Sequence, residues 1–137
     1  MNRLSQCLPM NRPCPDLDRL RTYLLAKPGT SEGTPFGPEF LVYKVLAKMF
    51  AGIAWEETPL RISLKCDPEH ALVLRAIYPA VIPGYHLNKR HWNTVLLDGS
   101  VPQDEVEEMI DESYDLVVAG MPCAARAALA AISPTPL

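Results

Sequence analysis

Apolar positions along this chain follow two periods. Leu17, Leu20, Leu24 and Leu25 fall at i, i+3, i+7 and i+8. That is one face of a 3.6-residue period, so a helix is expected from Asp16 to the stop at Pro28-Gly29. Asp16 and Asp18 sit where a helix N-terminus favours negative charge. Residues 30–40, with Pro35, Gly37 and Pro38, read as a turn-rich bridge. Residues 41–46 (LVYKVL) and 49–55 (MFAGIAW) are rich in β-formers and are separated by a short turn at Ala47-Lys48, as a hairpin requires. Residues 60–66 alternate strictly, with Leu60, Ile62, Leu64 and Cys66 on one face and Arg61, Ser63 and Lys65 on the other. Such alternation belongs to a sheet with one buried and one open face.

Asp67-Pro68 is a strong helix start, since Asp caps and Pro loses no hydrogen bond at the first helical position. Ala71, Leu74 and Tyr78, with Val73 and Ile77, give a broad apolar stripe that ends at Pro79. Two short strands are expected at residues 81–87 and 91–97, with residues 88–90 as their turn. Asp98-Gly99 breaks the sheet, and Ser100 and Gln103 have capping-box spacing. The last helix then runs to about Ala119, with Val106, Met109, Ile110, Ser113 and Val117 inward. Glu105, Glu107, Glu108, Asp111, Glu112 and Asp115 form its acidic outer face. Gly120 and Pro122 are stop signals. Residues 121–137 form an Ala-rich C-terminal tail that extends a helix or frays. Residues 1–15 lack periodicity and read as a mobile N-terminal arm, leaving residues 16–120 as the domain. Strands in runs separated by helices argue for α+β with an antiparallel sheet, in the order α-β3-α-β2-α.

The length of 137 residues suits one domain large enough to fold without a disulfide or metal staple. Fourteen prolines are about twice the usual share, so they should punctuate elements rather than sit inside them. No apolar run reaches the ~20 residues of a membrane span, and no apolar stretch follows Arg3 as in a secretory signal. The four cysteines show no C-x-x-C spacing and are read as reduced thiols in a cytoplasmic protein. A net charge of −3 excludes a uniformly basic polyelectrolyte binder, so any nucleic-acid contact must come from a local patch.

Charge is segregated. Residues 99–137 hold seven carboxylates and one arginine, whereas residues 36–98 hold seven cations and six carboxylates. If helices cover one sheet face, the other carries Arg61, Lys65 and Lys44, either as ordinary solvated charges or as a phosphate-tracking surface. The densest polar-aromatic segment runs from residue 84 to 94. In it, Lys89 and Arg90 suit phosphate, Asn88 and Asn93 suit base edges, and Tyr85 and Trp92 suit stacking. The plainer alternative is a polar hairpin whose aromatics pack the sheet. His86 and His91 could meet across that hairpin with His70 or Cys66 as a further ligand. None has zinc-like spacing, so no metal site is expected. Cys66 with a nearby histidine is too common a pairing to signal nucleophilic catalysis. No catalytic constellation, phosphate loop or cofactor motif is found.

Residues 35–45 (PFGPEFLVYKV), 48–55 (KMFAGIAW), 61–75 (RISLKCDPEHALVLR), 78–102 (YPAVIPGYHLNKRHWNTVLLDGSVP) and 110–118 (IDESYDLVV) resemble the MmcQ/YjbR family of small bacterial proteins. The resemblance implies a two-layer α+β sandwich similar to type III secretion chaperones and to a double-wing DNA-binding domain. It also implies an antiparallel sheet of order 5-4-1-2-3. The family is described as DNA-binding, which is a fold-level analogy. Its motif positions here are Lys44, Lys48, Tyr85, His86, Asn88, Lys89, Arg90, His91, Trp92 and Asn93. Leu46-Ala47-Lys48 stands where many members have a turn glycine.

The resulting expectation is a non-enzymatic DNA-binding protein without cofactor or membrane association, contacting nucleic acid through those residues with Arg61 and Lys65. Two alternatives stand beside it. One is a protein-interaction module, chaperone-like or homodimerising, with a protein partner or a second copy. The other binds a small aromatic ligand at Trp92, Tyr85 and His86.

Overall fold

In the computed structural model, residues 17–84 and 87–132 are described. The N-terminal arm expected over residues 1–15, with Tyr85, His86 and residues 133–137, lies outside them. Four helices and six strands follow one another: α1 (Leu17–Leu25), β1 (Thr30–Gly33), β2 (Phe40–Val45), β3 (Lys48–Ala54), β4 (Arg61–Lys65), α2 (Pro68–Ile77), β5 (Val81–Pro83), β6 (Trp92–Leu96), α3 (Gln103–Ala119) and α4 (Cys123–Ile132). Every strand pair is antiparallel, and the sheet order is β1-β2-β3-β4-β6-β5.

This corrects the expected order. An arrangement 5-4-1-2-3 would set the strand beginning at Val81 beside Phe40–Val45. That edge is taken by β1, a strand inside the stretch read as a turn-rich bridge. β6 instead pairs with β4, from Arg61 opposite Leu96 to Lys65 opposite Trp92, and β5 becomes the far edge. The sequence of β1, TSEG, has no apolar alternation because it is an edge strand with little to bury. It is held by polar contacts. Arg21 of α1 grips the Glu32 carboxylate with Nε at 2.7 Å and Nη2 at 2.9 Å, and the buried Tyr43 hydroxyl donates to the same carboxylate. Arg21 holds Glu32 below the usual carboxylate range, while burial and that carboxylate push Tyr43 up.

The two sheet faces differ. Tyr43, Val45, Ile53, Ile62, Leu64 and Val95 form one core with Leu20 and Leu24 of α1, Ala71 and Leu74 of α2, Val106 and Ile110 of α3, and Leu129 of α4. All four helices therefore pack on one face, as a two-layer sandwich requires. The tail expected to extend a helix or fray forms α4 as far as Ile132, and its Leu129 and the preceding Met121 are buried. On the opposite face, register aligns Gly33, Val42, Gly52, Ser63, Thr94 and Ile82 in a single row through all six strands. Its members are small or of medium size. The Phe40 ring and the Met49 methyl lie over Gly52, where a Cβ would come within 2.3 Å of Phe40 Cζ. Ser63 and Thr94 are buried here with their hydroxyls bonded at 2.9 Å. The alternation in β4 thus places Ser63 correctly by face, although its face is not open at that point.

Local signals set the helix starts. Asp67 caps α2, accepting from the Glu69 and His70 N–H groups, with Pro68 at the first helical position. The expected capping box on α3 is not formed. Pro102 is its N-cap, Ser100 donates its hydroxyl to Asp98 at 2.6 Å, and Gln103 donates to Glu107. Asp98, two residues before Ser100, captures its hydroxyl within the loop, and this local bond competes with the cap.

One hydroxyl joins α3 to the sheet. Between Tyr43 opposite Ala51 and Lys44 opposite Met49, Phe50 is an extra residue in β3. Ser113, fully buried, donates to the Phe50 carbonyl at 2.5 Å and accepts from the Lys65 N–H at 2.9 Å. Ser113→Ala removes a donor and an acceptor from a dry site and should cost about 1–3 kcal/mol. A lower urea midpoint with unchanged slope would show it. The β2–β3 turn holds Leu46 at φ 57, a left-handed conformation that costs a side-chain-bearing residue about 1–2 kcal/mol. Glycine removes that cost but adds about 0.5–1 kcal/mol of chain entropy. Leu46→Gly is therefore expected to raise stability by up to about 1 kcal/mol in the same assay.

Candidate functional site

Register gathers cations at one end of the sheet. Lys44 lies opposite Met49, and Lys65 lies opposite Trp92, all on the face that no helix covers. Lys48 begins β3 at the hairpin of the same end, but it pairs with the core residue Val45 and so belongs to the other side of the tip. The loop carrying Lys89 and Arg90 enters β6 at Trp92, again at this end, and both residues are exposed. Among the described residues, none of Lys44, Lys48, Lys65, Lys89 and Arg90 forms an ion pair. The helical layer is different: Arg19, Arg21 and Lys27 meet Glu107, Glu32 and Asp111. Arg61 shares the open face but sits at the opposite end, 4.0 Å from Glu57. Glu39, Glu56 and Asp98 lie in loops of that far end.

The loop before β6 is held from within. Asn88 Oδ1 accepts from the Arg90 and His91 N–H groups at 2.9 and 3.2 Å, so this amide shapes the turn. Arg75 of α2 donates Nε to Asn93 Oδ1 at 2.7 Å and Nη2 to the carbonyls of Lys89 and Trp92. Asn93 is 2% exposed on the helical face and therefore presents nothing to the open surface. His91 lends its carbonyl to the Cys66 N–H at 2.7 Å. Gly84 packs against Trp92, and a Cβ there would meet Trp92 Cβ at 2.7 Å. Of the positions named from sequence, the structure thus brings Lys44, Lys65 and Trp92 to one face with Lys89 and Arg90 at its end. It sets Arg61 apart, turns Asn93 inward and gives Asn88 a structural task. Tyr85 and His86 lie outside the described residues.

A second constellation occupies the seam between α2, α3 and the end of β4. Cys66 Sγ, His70 Nδ1 and the Glu112 carboxylate lie within 4.8 Å of one another. His70 Nδ1 is 2.8 Å from Glu112 Oε1, and the Cys66 thiol donates to Glu112 Oε2 at 3.7 Å. Burial pushes the Cys66 thiol up to about 12, and the neighbouring Glu112 charge adds to the shift. The pattern of residues points to Cys66 and His70 but leaves Glu112 on the solvated face of the last helix. Glu112 is instead half-buried against them. The α2 stripe is also narrower than expected. Ala71 and Leu74 are buried and Tyr78 is half-buried, whereas Val73 and Ile77 are exposed beside Leu72. Among the described residues, no helix is long and apolar enough to cross a membrane.

The family model described as YjbR matches residues 25–116. The chain belongs to the YjbR family. It is 37% identical over 106 residues to the uncharacterized protein YjbR of Escherichia coli K12, covering 77% of this chain and 90% of that one. To the uncharacterized protein YbdF of Escherichia coli O157:H7 it is 39% identical over 87 residues, 64% of this chain and 71% of the other. Among solved structures, a Deinococcus radiodurans protein superposes with TM-score 0.81 at 42% identity, covering 93% of this chain and 96% of that one. A Pseudomonas syringae protein gives TM-score 0.63 at 29% identity over 78% and 98%. The YjbR match contains the cationic end, the Arg75-held loop and the Cys66–His70–Glu112 cluster.

Arg75 ties α2 to the loop before β6. Arg75→Met keeps much of the aliphatic packing and removes three donated hydrogen bonds. Charged donors of this kind are worth about 1.5–3 kcal/mol each to their partners. Amide hydrogen exchange should accelerate over residues 88–93 while β3 and β4 remain protected.

Proposed function

We propose that this YjbR-family chain is a non-enzymatic nucleic-acid-binding module, using the cationic end of its helix-free sheet face. The observation that carries this reading is the division of charge partners. Arg19, Arg21 and Lys27 in the helical layer meet carboxylates, whereas Lys44, Lys65, Lys89 and Arg90 converge on one end of the open face without ion pairs among the described residues. Phosphate is bound by cations whose counterions are released, and cations already paired contribute less to such an exchange. The acidic outer face of α3 lies on the opposite layer, which orients an approaching polyanion toward the sheet. Trp92, beside Lys65, supplies an aromatic edge for an unstacked base.

Lys44→Glu with Lys65→Glu, and separately Lys89→Glu with Arg90→Glu, should each weaken binding to labelled random-sequence DNA by about tenfold or more in fluorescence anisotropy. Each phosphate that is no longer neutralised should lower the slope of log affinity against log salt by about 0.9 on duplex and about 0.7 on single strands. Arg61→Glu, at the far end, should change little. Wild-type protein that binds neither form at low salt, or double variants that bind as wild type, would refute the assignment.

A further inference from the structure

We propose that Cys66 Sγ, His70 Nδ1 and a Glu112 carboxylate oxygen form a zinc site, with Asn93 holding a metal-bound water. A thiolate, an imidazole and a carboxylate are the donor types zinc takes, and three protein ligands plus water is one of its ordinary sets. Sulfur and nitrogen donors select against magnesium and calcium. The thiolate and carboxylate together balance a divalent charge.

Distances fit with little movement. Around tetrahedral zinc, donors lie roughly 3.3–3.6 Å apart, given Zn–S near 2.3 Å and Zn–N or Zn–O near 2.0–2.1 Å. The sulfur lies 3.7 Å from Glu112 Oε2 and the nitrogen 2.8 Å from Glu112 Oε1, so a single ligating oxygen needs the carboxylate to turn and the nitrogen–oxygen pair to part by about half an ångström. No pair exceeds 4.8 Å. The three ligands come from the end of β4, the first turn of α2 and the middle of α3, so backbone elements on three sides fix them. His70 is partly exposed and gives the ion a way in.

An independent observation points to the same place. A cavity of about 10 Å³ adjoins the cluster, lined by Cys66, Glu112, Asn93 and apolar side chains that include Leu74 and Met109. That is about the space of one water. Arg75 has only donors, so its bond to Asn93 Oδ1 fixes the amide orientation and leaves Nδ2 as a donor. Nδ2 is buried and has no partner among the described residues. A donor does not face a bare cation. It calls for an acceptor in the cavity, and a water oxygen bound to the ion supplies one. The cavity is too small for a substrate, so the site clasps β4, α2 and α3 rather than performing chemistry.

The test uses the full chain, freed of metal by chelator and titrated with zinc or cobalt(II) sulfate alone. Wild type should bind one equivalent, gain thermal stability and show a cobalt–thiolate charge-transfer band. A Cys7→Ser, Cys14→Ser, Cys123→Ser variant should keep that band, and Cys66→Ser should lose it. His70→Gln and Glu112→Gln change partly exposed positions, and each should weaken zinc at least tenfold. Asn93→Leu, which removes the donor without adding charge, should weaken it about 10–100-fold. No stabilisation by excess zinc overturns the proposal. So does a band that follows the other cysteines, or zinc affinity indifferent to His70→Gln and Glu112→Gln.

Discussion

The bonds of the Ser113 hydroxyl set how the helical layer meets the sheet. The extra residue in β3 leaves the Phe50 carbonyl turned toward α3, and the Lys65 N–H of β4 faces the same point. One serine satisfies both directly, so α3 has a fixed height and rotation over two strands. Neighbouring residues inherit that placement. Glu112 precedes Ser113 and Cys66 follows Lys65, so the bond that seats the helix also brings a carboxylate beside a thiol. The acidic helix is therefore not only a solvated surface. One of its carboxylates is drawn into the seam because its neighbour in sequence is anchored there.

Strand β4 then separates two chemistries by its pleat. Successive side chains point to opposite faces. Lys65 goes to the face without helices, opposite Trp92, and Cys66 goes toward α2 and α3. The Asp67 cap starts α2 at once, bringing His70 back over Cys66 within one turn. The cationic sheet end and the Cys66–His70–Glu112 cluster thus share a strand without sharing a residue. Arg75 connects the two regions physically, since it shapes the loop bearing Lys89 and orients the amide of Asn93.

Much of this is legible in the sequence where burial imposes a period. Val106, Met109, Ile110, Ser113 and Val117 are the inward positions of α3, as the spacing requires. Leu20 and Leu24 anchor α1, and Ile62, Leu64 and Cys66 share the core face of β4. The edge strand β1 is illegible because polar contacts from Arg21 and Tyr43, not apolar alternation, hold Thr30–Gly33. Without it an edge looks vacant that is in fact occupied, and the strand order implied by the family resemblance does not hold. The turn between β2 and β3 falls earlier than its residues suggest, because Leu46 occupies a conformation that glycine normally marks. At the site, Lys44, Lys65 and Trp92 can be read from alternation. The inward turn of Asn93 and the meeting of Glu112 with His70, 42 positions away, depend on tertiary packing that no local pattern records.

The row Gly33, Val42, Gly52, Ser63, Thr94 and Ile82 has a consequence for how this surface can change. Its members face neighbours on the next strand, and Gly52 leaves no room for a Cβ beneath Phe40. Enlarging Gly52 demands that Phe40 shrink or move, so substitutions at these two positions must be strongly non-additive. The cationic rim can vary one residue at a time, whereas the floor at Gly52 can change only together with Phe40 on the adjacent strand.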